Sequence, residues 1–286
     1  MLSRLFFNLE NPMPHIQNLF DLKNRTAIVT GGVGLLGTQF SKTLAEAGAN
    51  VIVADLDGKR THTYAEELTQ AGYSATGVEV NITDPDSVQA MIDQARTAFG
   101  SVDVLVNSAA WDPKFDADKI GEQGANAFET YPLEDWNQAV NINLTGMFLV
   151  CQATARVMRE QGKGSIINIC STYGLAGPDH RIYEREDGPK MFKPVFYTVT
   201  KAGVLGLTKY IATYYAGTDI RCNALTPGGV FNNHDETFTK AYSYRTVMGR
   251  MAEKHEMNGA LLFLASDASS YMTGGNVVVD GGWTAW

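Results

Sequence analysis

Tyr197 and Lys201 stand four residues apart in Phe196-Tyr197-Thr198-Val199-Thr200-Lys201. On a helix that spacing puts both side chains on one face. A phenol of ordinary pKa, near 10, is a poor proton shuttle at neutral pH. A neighbouring ammonium favours the phenolate, and a shift of about three units corresponds to about 4 kcal/mol of differential stabilisation. A pair tuned in this way suits general acid/base work on an alcohol–ketone couple. Taken alone, the pair reads better as two neighbours on a solvated helix.

A second cluster asks for a ligand. Thr30-Gly31-Gly32-Val33-Gly34-Leu35-Leu36-Gly37 directly follows the apolar run Ala27-Ile28-Val29. Gly32 to Gly37 fits the G-x-G-x-x-G spacing between a strand and a helix. Glycines permit a tight turn and close backbone approach, and a helix N-terminus presents N–H groups to a pyrophosphate. Asp55 follows eighteen residues after Gly37, at the end of the next β-branched run. Its carboxylate can accept hydrogen bonds from adenosine ribose hydroxyls and would repel a 2′-phosphate, which favours NAD over NADP. Lys59 and Arg60 offer a phosphate an alternative contact, so NADP stays open.

The elements that must position these groups alternate along the chain. Predicted strands are Thr26–Thr30, Asn50–Ala54, Ala75–Val80, Val102–Val106, Ser165–Ile169, Ile220–Ala224 and Asn276–Val279. Between them, Phe40, Leu44 and Ala47, then Val88, Ile92 and Ala95, recur at helical spacing, as does the stretch from Leu133 to about Glu160. Runs such as Val51-Ile52-Val53 do not alternate with polar residues, as expected of strands covered on both faces. The expectation is a single-domain α/β fold with a doubly wound, parallel, seven-stranded sheet of Rossmann type. Residues 1–22 read as an N-terminal extension, with residues 23–286 forming the domain. Insertions near 112–131 and 178–194 leave the carboxyl ends of strands, where ligands bind in open α/β sheets.

Composition excludes other classes. The chain of 286 residues carries 23 basic and 31 acidic side chains, a net charge of −8, without the basic footprint that nucleic acid or an anionic membrane needs. Cys151, Cys170 and Cys222 lie in apolar stretches at no metal-ligand spacing, which points to reduced thiols and no metal site. The N-terminus lacks a signal-peptide pattern, and no window approaches about 18 uninterrupted apolar residues. A cytoplasmic location is therefore expected.

Over roughly residues 22–286 the chain resembles the short-chain dehydrogenase/reductase family. The resemblance rests on the glycine cluster, Asn107-Ser108-Ala109-Ala110 and Asn141-Ile142-Asn143-Leu144-Thr145-Gly146. It continues through Ser165 to Ser171, Tyr197-x-x-x-Lys201, Asn223 to Pro227-Gly228, and Thr273-Gly274 to Asp280-Gly281-Gly282. It implies an NAD(P)-dependent oxidoreductase acting on a small-molecule substrate. Ser171 would hydrogen-bond the substrate oxygen and Tyr197 would exchange its proton. Lys201 would hold the nicotinamide ribose and lower the pKa of the phenol, and Asn143 would position a relay water. The dinucleotide would lie along Gly31, Gly32, Val33, Gly34, Leu35 and Leu36, then Asp55, Asn81 and Ile82. Asn107, Ala109, Tyr197, Lys201, Pro227, Gly228 and Val230 would complete its site. The family also implies a homodimer or homotetramer built through Leu133–Glu160 and Phe196–Ala216. Three alternatives remain: a silent dinucleotide-binding sensor or interaction module, a dehydratase, or an epimerase using hydride transiently.

Several positions depart from the family pattern. Leu35 stands where single-domain members usually have glycine, and Gly34 matches the spacing of the branch that modifies nucleotide-sugars. Ser108 and Ala110 replace an asparagine and a glycine, Asn81 replaces an aspartate, and Asn232 replaces a threonine. Ser171 and Tyr197 are 26 residues apart, about twice the usual separation, because of Pro178–Pro194. That loop carries His180, Arg181, Arg185 and Lys190, which are expected to bind an anionic group such as a phosphate. The segments around Pro227-Gly228-Gly229 and Asp280-Gly281-Gly282 also look like reductases of surface-polysaccharide sugars, so a sugar substrate is expected.

Overall fold

The computed structural model describes residues 15–113, 126–184 and 190–286. Seven parallel strands form one sheet in the order β3-β2-β1-β4-β5-β6-β7. They are β1 (Thr26–Thr30), β2 (Asn50–Asp55), β3 (Ala75–Glu79), β4 (Val104–Asn107), β5 (Lys163–Ile169), β6 (Asp219–Pro227) and β7 (Asn276–Val279). Helices α1 (Gly37–Glu46), α2 (Gly58–Gln70), α3 (Pro85–Phe99), α4 (Leu133–Val140), α5 (Met147–Gln161), α6 (Val195–Tyr214), α7 (Glu236–Tyr244) and α8 (Asn258–Ala265) complete the described elements.

Strand side chains alternate between two apolar layers, because successive Cβ atoms point to opposite faces. Ile28, Ile52, Leu105 and Ile166 pack on one face with Val88, Met91, Ile92, Val150, Met158 and Val204 from α3, α5 and α6. Val29, Val53, Val106 and Ile167 pack on the other with Phe40, Leu44, Leu68, Leu261 and Leu264 from α1, α2 and α8. Both faces are therefore dry, which accounts for the unbroken apolar runs. Fully burying each large side chain contributes about 1.5–3 kcal/mol.

Local chemistry sets the boundaries. Helix α3 begins where the Asp84 carboxylate accepts the Asp86 N–H ahead of Pro85, and ends at Gly100 with φ +82°. β4 begins two residues later than the expected Val102, whose N–H and carbonyl are both held by the Gln161 side chain at 2.9 Å. The single long helix expected from Leu133 to Glu160 is instead α4, a π-helical turn over Asn141–Gly146, and α5. Leu22, expected at the end of an N-terminal extension, is wholly buried, and its N–H donates to the Ala47 carbonyl at 2.9 Å. It belongs to the core. Residues 1–14, 114–125 and 185–189 of the expected extension and insertions lie outside the described residues.

β1 and β4 are sheet neighbours whose outgoing connections run to opposite faces. That switch point is where ligands bind in doubly wound sheets. The cavity described next opens there.

Candidate active site

A cavity of about 710 Å³ lies across the carboxyl ends of the strands. Its dinucleotide end is made mostly of backbone. Gly31 has φ +66°, and a Cβ there would lie 2.8 Å from the backbone of Ala109. A Cβ on Gly37 would collide with the Gly31 carbonyl oxygen. Gly34 N–H donates to that same oxygen at 2.9 Å, and the Leu36 N-cap of α1 supplies no side-chain cap. The turn thus leaves a helix N-terminus facing the cavity, which fits a pyrophosphate.

Gly31, Gly34, Leu35, Leu36, Asp55, Asn81, Ile82, Ala109, Pro227, Gly228 and Val230 all line the cavity. Gly32 and Val33 do not, and they act on its wall instead. Gly32 N–H donates to Ala54 O at 2.9 Å. Val33 N–H donates to Asp55 Oδ2 at 3.3 Å, which holds that carboxylate at the cavity edge. Arg60, expected as an alternative phosphate contact, donates to the Val33 carbonyl at 2.7 Å and does not line the cavity. The expected cofactor contact Asn107 is likewise buried in the sheet. Its Nδ2 donates to Asn168 Oδ1 at 2.9 Å, while its Oδ1 is buried without a hydrogen-bond partner.

The reactive end is carried by β5 and α6. Ser171 caps a short 3-10 turn, Thr172–Gly174, and its Oγ accepts the Tyr173 N–H at 3.2 Å. The Ser171 hydroxyl and the Tyr197 side chain line the same cavity. Lys201 Nζ lies 5.9 Å from the Tyr197 ring centre and donates to the Ile169 carbonyl at 2.9 Å. Ser171, Tyr197 and Lys201 line one stretch of cavity wall, as the motif spacing anticipates.

Two expectations about this end are corrected. The Tyr197 phenol is pushed above the ordinary tyrosine range, first by burial and then by the negative charge of Asp112. Burial also lowers the pKa of Lys201. Burial in the wall thus disfavours the charged form of each group. Asn143, on the π-helical turn, is buried and does not line the cavity. Its Oδ1 accepts the Trp111 N–H at 2.7 Å and its Nδ2 donates to the Trp111 carbonyl at 3.1 Å. The side-chain amide therefore fixes the loop after β4.

The cationic loop also differs from expectation. Arg181 is chelated by Asp179 two residues away, at 2.7 Å through both Nε and Nη2, and His180 packs edge-on against Phe192. Neither they nor Lys190 line the cavity, and Arg185 lies outside the described residues. The cation that does face it is Lys193, with Asp112 opposite. Tyr173, Tyr183 and Tyr242 lie along the same wall. The first two hydroxyls are hydrogen-bonded to each other, and that of Tyr242 accepts the Gly229 N–H. They are backed by Trp283, which stacks on Tyr242 with ring centres 4.4 Å apart. No motif marks these residues. Tyr173 could have been suspected from its place two residues after Ser171.

The geometry agrees with the comparisons. The family model described as enoyl-(acyl carrier protein) reductase matches residues 34–284. The 3-alpha-(or 20-beta)-hydroxysteroid dehydrogenase of Mycobacterium tuberculosis is 35% identical, with 92% of this chain and 91% of that protein covered. The cis-4-hydroxycyclohexanecarboxylate dehydrogenase of Sinomonas cyclohexanicum is 34% identical over 91% of this chain and 97% of its own length. Among solved structures, a gluconate 5-dehydrogenase from Burkholderia cenocepacia J2315 in complex with NADP and tartrate superposes with a TM-score of 0.81. That protein is 30% identical, over 95% of this chain and 100% of its own. With a glycine-turned dinucleotide end and a Ser–Tyr–Lys wall in one cavity, this chain belongs to the short-chain dehydrogenase/reductase family and is an NAD(P)-dependent oxidoreductase interconverting an alcohol and a ketone.

Proposed function

We propose that Tyr197 is the proton donor and acceptor of this reaction, on a small, hydroxyl-rich substrate of sugar type. The observation that carries the assignment is Ser171, Tyr197 and Lys201 lining the same cavity that the glycine turn opens. A bound nicotinamide dinucleotide supplies the hydride. The chain's own residues handle the proton. Ser171 Oγ and the Tyr197 hydroxyl converge on the carbonyl oxygen of a substrate, where the phenol donates its proton during reduction and recovers it during oxidation. The raised pKa of Tyr197 keeps the phenol in its donor form at neutral pH, so reduction needs no prior ionisation while alcohol oxidation speeds up as pH rises. Lys201 would bind the nicotinamide ribose, and Asn143 is a positioning residue acting through Trp111. NAD is the favoured coenzyme, because Asp55 sits at the cavity edge where a 2′-phosphate would have to go, and Arg60 is engaged elsewhere.

Ser171, the Tyr197 phenol, a lysine and an aspartate at the substrate end suit a polar, hydroxyl-bearing molecule better than an apolar one. A protein similar to this chain is named for gluconate, which supports that class. Homo-oligomers through α5 and α6 complete the proposal, since Phe148, Tyr210 and Tyr214 stand exposed there. A monomer in light scattering would remove that part.

The deciding experiment is Tyr197→Phe. It should lower kcat by about 10²- to 10⁴-fold, the usual contribution of a positioned acid/base group, while NADH still binds. Undiminished turnover would reject Tyr197 as proton donor. A wild-type chain that binds NADH yet turns over no alcohol, sugar or nucleotide-sugar in a broad panel would favour the silent sensor.

A further inference from the structure

Lys193 and Asp112 close the substrate end of the cavity. Lys193 Nζ lies 2.8 Å from each Asp112 carboxylate oxygen and 4.0 Å from the centre of the Tyr197 ring. An ammonium is strongly hydrated and ordinarily kept in water by its flexible stem. Here it is drawn across the face of the phenol that handles the proton. Stability is a weak reason for the arrangement, since a partly exposed ion pair contributes only about 0–1 kcal/mol.

The two partners are unequal. The Lys193 side chain retains 16% of its exposure and that of Asp112 retains 37%. The amine is walled in, while the carboxylate has a route to solvent by rotating outward. The other cation of the reactive wall, Lys201, is engaged by the Ile169 carbonyl. A chain of net charge −8 repels acids at long range, so an acidic substrate would need a cation held locally.

We propose that Lys193 binds a carboxylate of the substrate, and that Asp112 is its resting counterion, turned out to water when the acid enters. Because one carboxylate replaces another, the ammonium remains paired in both states and no uncompensated charge is left in the cavity. The position of the amine over the ring whose hydroxyl addresses the carbonyl oxygen places the acid within a few bonds of the reacting carbon. The substrate class is then short hydroxy acids and their oxo counterparts. This deepens the alcohol–ketone reading of the same cavity and rests on it.

The test is calorimetric titration of the full chain, saturated with NAD⁺, using tartrate and threitol, which share a four-carbon diol but differ in carrying acids or neutral hydroxymethyl groups. Wild type should bind tartrate about tenfold or more tightly than threitol, a difference of about 1.4 kcal/mol. Lys193→Met should abolish that difference, Lys193→Arg should keep most of it, and Asp112→Asn should tighten tartrate severalfold by removing the competing carboxylate. Equal affinities in wild type, no tartrate binding, or an unaffected Lys193→Met would overturn the proposal. So would weaker tartrate binding by Asp112→Asn, which would mean that the pair jointly grips hydroxyls. Binding needs no turnover, so this result stays readable whatever the Tyr197→Phe assay shows.

Discussion

At the dinucleotide end of the cavity, backbone meets backbone: Gly32 N–H reaches Ala54 O, Gly34 N–H reaches Gly31 O, and Gly31 lies against Ala109. At the substrate end, side chain meets side chain: Lys193 with Asp112, Tyr173 with Tyr183, and Trp283 with Tyr242. A backbone-built site leaves no room for added atoms and changes little with the residues around it. A side-chain-built site can exchange its members while the sheet stays as it is. Binding a shared coenzyme suits the first construction, and choosing among substrates suits the second.

Three substitutions probe that contrast. Gly37→Ala should have the largest effect, because its methyl group meets the Gly31 carbonyl oxygen with no flexible atom to yield. We expect about 1–3 kcal/mol of destabilisation in urea melts, as for overpacked sites, together with a fall in NADH affinity seen by fluorescence titration. Wild-type behaviour would show that the turn has slack. Asp55→Asn keeps the shape but removes the charge and weakens the acceptor of the Val33 N–H. A loss of about 1 kcal/mol in NAD binding is expected, with the ratio of NAD to NADP KM values moving toward NADP. An unchanged ratio would detach Asp55 from coenzyme choice.

Glu256→Gln should act least. Arg250 pairs with Glu256 through Nη1 and Nη2 and also holds the Met251 carbonyl, beside a cavity-lining side chain. The Arg250 hydrogen bonds are the main cause that lowers the Glu256 pKa from 4.5 to about 2. A carboxyl depressed on folding stabilises the fold above its unfolded value, and that contribution disappears as pH falls through its folded value. Wild type should therefore lead the variant in melting temperature near neutrality, and the gap should close between about pH 4.5 and 2. A gap independent of pH would assign the effect to packing.

The contrast also decides what could be read beforehand. Strands buried on both faces announce themselves as β-branched runs, and all seven were located to within a few residues. The glycine turn was legible because its steric demand falls on consecutive positions, and Tyr197 and Lys201 because one helix carries both. Lys193 and Asp112 are 81 residues apart. Nothing local records their meeting, whereas Arg181, prominent as a charge, is neutralised by Asp179 only two positions away. Asn107 is expected among the cofactor contacts and Asn143 beside a relay water, but sequence cannot say whether an amide faces a cavity or braces the wall behind it. That depends on which carbonyls and N–H groups tertiary packing leaves nearby.

The π-helical turn at Asn141–Gly146 amounts to one surplus residue inside an otherwise continuous rod. Each residue advances an α-helix by about 100°, so the extra one changes the rotational phase of everything before it relative to α5. Excising a single residue there would restore a regular rod with better local hydrogen bonding, yet it would swing Asn143 away from Trp111 and release the loop that bears Asp112. Irregularity in that helix is thus the device that aims the loop, and smoothing it would be a poor route to a sturdier enzyme.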